Sequence, residues 1–78
     1  MVDMNEHETA VTFDFEGVGY VVVERDGVHS VRLTREGWDL GGFTVDGHGQ
    51  ATVRGWFQGR IDPDKLIRLA NSFAARTV

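Results

Sequence analysis

The chain has no cysteine and only one proline among its 78 residues. Without thiols, neither a disulfide framework nor a thiolate metal site can supplement the hydrophobic core. This composition is compatible with a reducing cytoplasm, where we expect the protein to be located. No apolar run approaches the ~20 residues of a membrane-spanning helix, and the N-terminus lacks the basic-then-apolar pattern of a signal peptide. We therefore expect a soluble protein with no membrane partner.

The chain also lacks a net positive charge. Its twelve acidic and eight basic side chains give a net charge of −4. Nucleic-acid-binding domains usually have a net positive charge, so this composition is not typical of a general nucleic-acid-binding protein. Gly17-Val18-Gly19 lacks the third glycine of a phosphate-binding loop. Asp46-Gly47-His48 lacks the additional ligands that calcium or zinc would need. The sequence therefore predicts no cofactor, no metal site and no enzyme activity.

Length and patterning predict one small domain over residues 9–78, preceded by a disordered tail at residues 1–8 that shows no apolar periodicity. Alternating apolar and polar residues predict a strand over Thr9–Glu16 and a second strand over Tyr20–Arg25. A loop at Glu16–Gly19 would place Phe15 opposite Tyr20, so that the apolar faces of the two strands match.

Asp26-Gly27 is a strong signal for a two-residue hairpin turn, because a type I′ turn needs positive φ at both central residues. The turn predicts a third strand over Val28–Thr34, with Val31 opposite Val22. Leu33 would then join the core face. On the same face His29 would lie opposite Glu24, and we expect the two to pair at the rim of the sheet.

Two further strands are predicted over Phe43–Val45 and Gln50–Phe57. A three-residue loop at Gly47–Gly49 would pair Phe43 with Val53, which again matches apolar side chains. The preceding residues 35–42 contain three glycines and could form either a strand or a loop.

Ile61–Arg76 has the signals of an amphipathic helix. Asp62 is a candidate N-cap, and Pro63 falls at the first helical position, where a missing N–H costs nothing. At about 100° per residue the apolar side chains form one stripe: Leu66, Ile67, Leu69, Ala70, Phe73 and Ala74. The predicted architecture is α+β, an antiparallel meander of about five strands with this helix packed on one face.

One helix cannot cover both faces of the sheet, so we expect the opposite face, the open face, to be the functional surface. Exposed valines, tryptophan and arginine are typical of interaction sites. The candidate partner-binding residues on the open face are Val21, Val23, Arg25, Arg32, Arg54 and Trp56.

These residues favour a non-enzymatic protein–protein interaction module, most simply a homodimer formed through the open face or a sheet edge. The alternative is single-stranded nucleic-acid binding, with Trp56 stacking on a base and the arginines contacting phosphates.

Overall fold

The computed structural model describes residues 9–77, and the expected disordered tail lies outside them. The predicted α+β two-layer fold is confirmed: a single antiparallel sheet has the strand order β1-β2-β3-β4-β5, and one helix packs on it, mainly over β5 and β4. The elements are β1 (Thr9–Phe15), β2 (Val18–Arg25), β3 (Val28–Arg32), β4 (Asp39–Val45), β5 (Ala51–Trp56) and α1 (Pro63–Thr77).

The first hairpin turns earlier than predicted. Glu16 and Gly17 both have positive φ (51° and 80°) and form a two-residue turn, so Phe15 pairs with Val18 and not with Tyr20. The predicted register is therefore wrong by two residues. Because the side-chain period of a strand is two, this shift leaves every side chain on its predicted face. Phe13 accordingly still lies in the core.

The second hairpin has the predicted register, with Val22 opposite Val31 and positive φ at Asp26 and Gly27 (54° and 82°). The third strand ends early, however. The pairing of β3 with β4 is irregular after Val31, and the chain leaves the sheet after Arg32. Leu33 is 54% exposed, so its predicted place in the core is wrong.

Residues 33–38 form the loop before β4, and residues 39–42 belong to the strand. The β4–β5 register confirms the predicted pairing of Phe43 with Val53. In the connecting loop, Asp46 Oδ1 accepts hydrogen bonds from the backbone N–H groups of His48 (2.8 Å) and Gln50 (2.9 Å). Asp46 therefore has a turn-forming role, which asparagine and aspartate commonly take in loops.

The helix begins as predicted, because the Asp62 carboxylate accepts the Asp64 N–H at 3.0 Å. Ile67 is 47% exposed, so its predicted place in the buried stripe is wrong. The other five stripe residues are buried: Leu66, Leu69, Ala70, Phe73 and Ala74. The ring of Phe73 meets that of Phe13 edge-to-face at 5.3 Å between centroids, which joins α1 to the first strand.

The exposed guanidinium of Arg68 forms an ion pair with Glu16 in the first turn, at 3.2 Å between Nε and Oε2. This hydrogen bond raises the pKa of Arg68. The pair joins α1 to the β1–β2 turn at the surface, where such ion pairs contribute little to stability.

The helix lies very close to the sheet at Gly41. A Cβ atom there would lie 2.5 Å from Leu66 Cδ2 and 2.7 Å from the carbonyl oxygen of Gly55. Real side chains do not tolerate such distances, and the Gly55 oxygen belongs to the backbone and cannot rotate away. Gly41 is thus required both for the close approach of β4 to β5 and for the packing of Leu66 on the sheet.

We expect Gly41→Ala to lower the free energy of unfolding by about 1–3 kcal/mol, as overpacking of a core does. Gly47→Ala is the matched control, since a Cβ at Gly47 would have no neighbour within 4 Å. Urea denaturation of both variants measures the difference. Equal stabilities would show that both Leu66 and the backbone of β5 can move away from Gly41 without cost.

Candidate interaction surfaces

The arginines predicted on the open face are found there, but two of them are already engaged. Arg32 Nε lies 2.6 Å from Asp39 Oδ1 in a half-buried ion pair. Arg54 Nε donates to Thr44 Oγ1 at 3.1 Å. Arg25 is exposed, and no hydrogen bond or ion pair of its side chain is found within residues 9–77. Whether these residues bind a partner stays a prediction.

The valines of the open face do not form one exposed patch. Val23 is only 3% exposed, although its neighbours in register, Ala10 and Ser30, have small side chains. The prediction that Val23 is uncovered is therefore wrong. Val21 is half-buried and Val28 is 43% exposed, so only these two valines offer apolar area on this face.

The predicted position of Trp56 on the open face is also wrong. Arg54 is an extra residue in β5, so that Gly42 pairs with Gly55 and Gly41 with Trp56. Paired residues share a face, and Gly41 faces Leu66 of the helix. One inserted residue reverses the direction of all later side chains in a strand, so Trp56 lies on the helix side.

Trp56 is fixed there by a hydrogen bond from its indole Nε1 to the carbonyl oxygen of Ile61 at 2.7 Å. Trp56 is 43% exposed and lies beside the chain that enters the helix. The structure therefore separates Trp56 from Arg25, Arg32 and Arg54. The stacking residue and the phosphate-binding residues of the nucleic-acid hypothesis are on opposite faces.

His29 lies opposite Glu24 as predicted, but the two side chains form no hydrogen bond within residues 9–77. The Glu24 carboxylate accepts the N–H of Gly27 at 3.2 Å. The His29 ring stacks on Phe43 at 4.9 Å between centroids, with 7° between the ring planes. Its Nδ1 is buried and has no hydrogen-bond partner. His29 thus packs as an aromatic ring and leaves one polar atom unsatisfied.

We expect His29→Phe to raise the free energy of unfolding by about 1 kcal/mol. The substitution keeps the ring stack and removes the unpaired polar atom, whose burial is unfavourable. His48→Phe in the exposed β4–β5 loop is the control and should leave stability nearly unchanged. Urea denaturation compares the variants. A loss of stability in His29→Phe equal to that in His29→Ala would contradict this interpretation.

Sequence reasoning missed an exposed aromatic cluster at the end of the sheet where β3 stops and β4 starts. Trp38 is 76% exposed and Phe57 is 45% exposed. The Arg60 guanidinium lies between them, 4.5 Å from the Trp38 ring centroid and 5.1 Å from that of Phe57. No local signal connects positions 38 and 60, because the fold alone brings them together.

The two edges of the sheet differ. In β1, Phe15 pairs with Val18 across a two-residue turn, and residues so placed exchange both backbone hydrogen bonds. Hydrogen-bonded and non-hydrogen-bonded pairs alternate along an antiparallel ladder. The backbone N–H and C=O groups of Ala10, Thr12 and Asp14 therefore point outward, along a regular strand of seven residues.

The other edge, β5, carries the bulge at Arg54, and α1 packs closely against it. Bulges and covering helices protect an edge strand from pairing with another chain. On the β1 side, by contrast, a small hollow of about 200 Å³ remains between the strand and the end of the helix. It is lined by Val11, Thr12, Phe73 and Arg76.

Comparison of the chain with protein-family models, with curated proteins and with solved structures gave no significant match. Residues 9–77 contain no cluster of three His, Asp or Glu side chains that could hold a metal ion. Within the same residues, no helix is long and apolar enough to cross a membrane. Support for a function of these surfaces therefore comes from their own geometry.

Proposed function

We propose that this protein is a non-enzymatic protein–protein interaction module that forms a homodimer by pairing β1 of one copy with β1 of another. The observation that supports this proposal is the edge of β1, which is regular, seven residues long and free of bulges and proline. Such an edge presents a row of unpaired N–H and C=O groups that can bind an extended strand.

A second copy of β1 fits this edge in the antiparallel direction. Thr12 is the middle residue of β1, so a two-fold axis through Thr12 would pair the whole strand. The outward-pointing Ala10 and Asp14 of one copy then face Asp14 and Ala10 of the other. No like charges oppose each other in this register, which removes the usual penalty for self-pairing of a charged edge.

The same register also brings apolar side chains together on the helix side of the sheet. Val11, which is 42% exposed, would lie opposite Phe13 of the second copy and next to the hollow beside Phe73. The dimer would be a continuous ten-stranded sheet with both helices on one side. Contact through a single strand buries little area, and interfaces under ~1,200 Å² usually belong to weak complexes.

The nucleic-acid alternative has less support than it had from the sequence. Its aromatic residue, Trp56, lies on the opposite face from the arginines, and Arg32 is neutralised by Asp39. A cytoplasmic location stays part of our proposal, since a chain without cysteine needs no oxidising compartment to fold.

We expect the mass measured by light scattering to rise from one chain towards two over a micromolar to millimolar concentration series. Thr12→Lys should keep the protein monomeric, because two lysines would face each other across the two-fold axis. Thr12→Pro should act in the same way by removing an outward N–H while leaving the ladder to β2 intact.

Thr52→Lys on β5 is the matched control, since it places the same charge on the opposite edge strand and should leave the dimer unchanged. Circular dichroism of each variant checks that the sheet is retained. A wild-type protein that stays monomeric over the whole series would refute the proposal. So would a Thr52→Lys effect as large as that of Thr12→Lys.

A further inference from the structure

The exposed aromatic cluster borders an apolar hollow of about 470 Å³. This volume lies within the range of small-ligand sites, which are typically ~300–1,000 Å³ and mostly apolar with few polar groups. Five residues line it, and they come from the β3–β4 loop, β4 and the chain before the helix: Leu33, Gly37, Trp38, Leu40 and Arg60.

Leu33 and Trp38 contribute little to the folded core, with 54% and 76% of their surfaces exposed. Both extend from the loop between β3 and β4, on either side of a turn closed by the Gly37 N–H and the Thr34 carbonyl at 3.0 Å. Contiguous exposed apolar side chains on a small domain typically mark a contact site. Together they give the hollow an apolar wall that does not take part in the hydrophobic core.

Among residues 9–77, Arg60 is the only charged residue in the lining. One of its N–H groups donates to the Asp39 carbonyl oxygen at 3.3 Å, and the two aromatic rings hold the guanidinium in place. Within residues 9–77 no carboxylate forms an ion pair with it, because the Asp39 carboxylate is taken by Arg32. Arg60 thus keeps an uncompensated positive charge and free N–H donors at the hollow.

We propose that the hollow binds a peptide segment of a partner protein in which an apolar side chain stands next to a carboxylate. The apolar side chain packs between Leu33 and Trp38, and the carboxylate accepts hydrogen bonds from Arg60. Charge complementarity supports this occupant, since arginine matches the two oxygens of a carboxylate. The ring contacts reduce the entropy lost when Arg60 is ordered by binding.

This site is separate from the β1 edge and does not depend on dimerisation. A single-stranded nucleic acid, with a base on Trp38 and a phosphate on Arg60, is the competing occupant. It is disfavoured because the lining offers one cation only, whereas nucleic-acid affinity comes mostly from several phosphate contacts. The net charge of −4 would further weaken such binding.

The experiment uses two capped dipeptides as probes, acetyl-leucyl-aspartyl-amide and the uncharged acetyl-leucyl-asparaginyl-amide. They are added to isotope-labelled protein at millimolar concentration and followed by NMR. We expect the aspartyl probe to change the chemical shifts of the indole N–H of Trp38 and the Nε–H of Arg60. The asparaginyl probe should bind about tenfold more weakly, because it lacks the charge-assisted hydrogen bond.

Arg60→Gln should lower the affinity for the aspartyl probe by about tenfold, and Trp38→Ala should lower the affinity for both probes. Arg35→Gln is the matched control, since Arg35 is an exposed arginine of the same loop that does not line the hollow. Equal affinity for the two probes, or no shift at Trp38 and Arg60, would overturn the proposal. The proposal would also be overturned if a short oligothymidylate changed these chemical shifts at a lower concentration than the peptide does.

Discussion

The contact between Leu66 of the helix and Gly41 of the fourth strand determines how the two layers of this protein fit together. Leu66 is fully buried where β4 has no side chain, so α1 lies close to β4 and β5. Within residues 9–77, a helix at this position lies mainly over the β5 side of the sheet and leaves the edge of β1 uncovered. The outward-pointing backbone groups of β1 are therefore not covered by the helix, because α1 packs on β5 and β4.

Two irregularities in the pairing of β4 shape the end of the sheet. Leu40 is an extra residue opposite β3, and Arg54 is an extra residue opposite β4. Each insertion changes the direction of the side chains around it. Leu40 joins the buried cluster, and Trp56 turns to the helix side. Beyond these bulges the strands stop, and Trp38 and Phe57 gather around Arg60.

The successes and failures of sequence reasoning have physical causes. Asp26-Gly27 identified its turn because this pair tolerates positive φ, and the register followed from it. Glu16 also adopts positive φ, but glutamate has no preference for that conformation, so the pattern predicts a loop over Glu16–Gly19 where the chain makes a two-residue turn. The resulting error of two residues did not change any face. A bulge of one residue did, and it removed Trp56 from the open face.

The sequence by itself determined the local structure of this chain: alternation of apolar residues in the strands, the Asp62 cap and the amphipathic helix. These features depend on residues that are neighbours along the chain, so they can be identified from short patterns. Tertiary structure decided which surfaces remain exposed. The bulges, the free edge of β1 and the contact of Trp38 with Arg60 depend on residues distant in sequence, whose positions only packing of the sheet against the helix can establish.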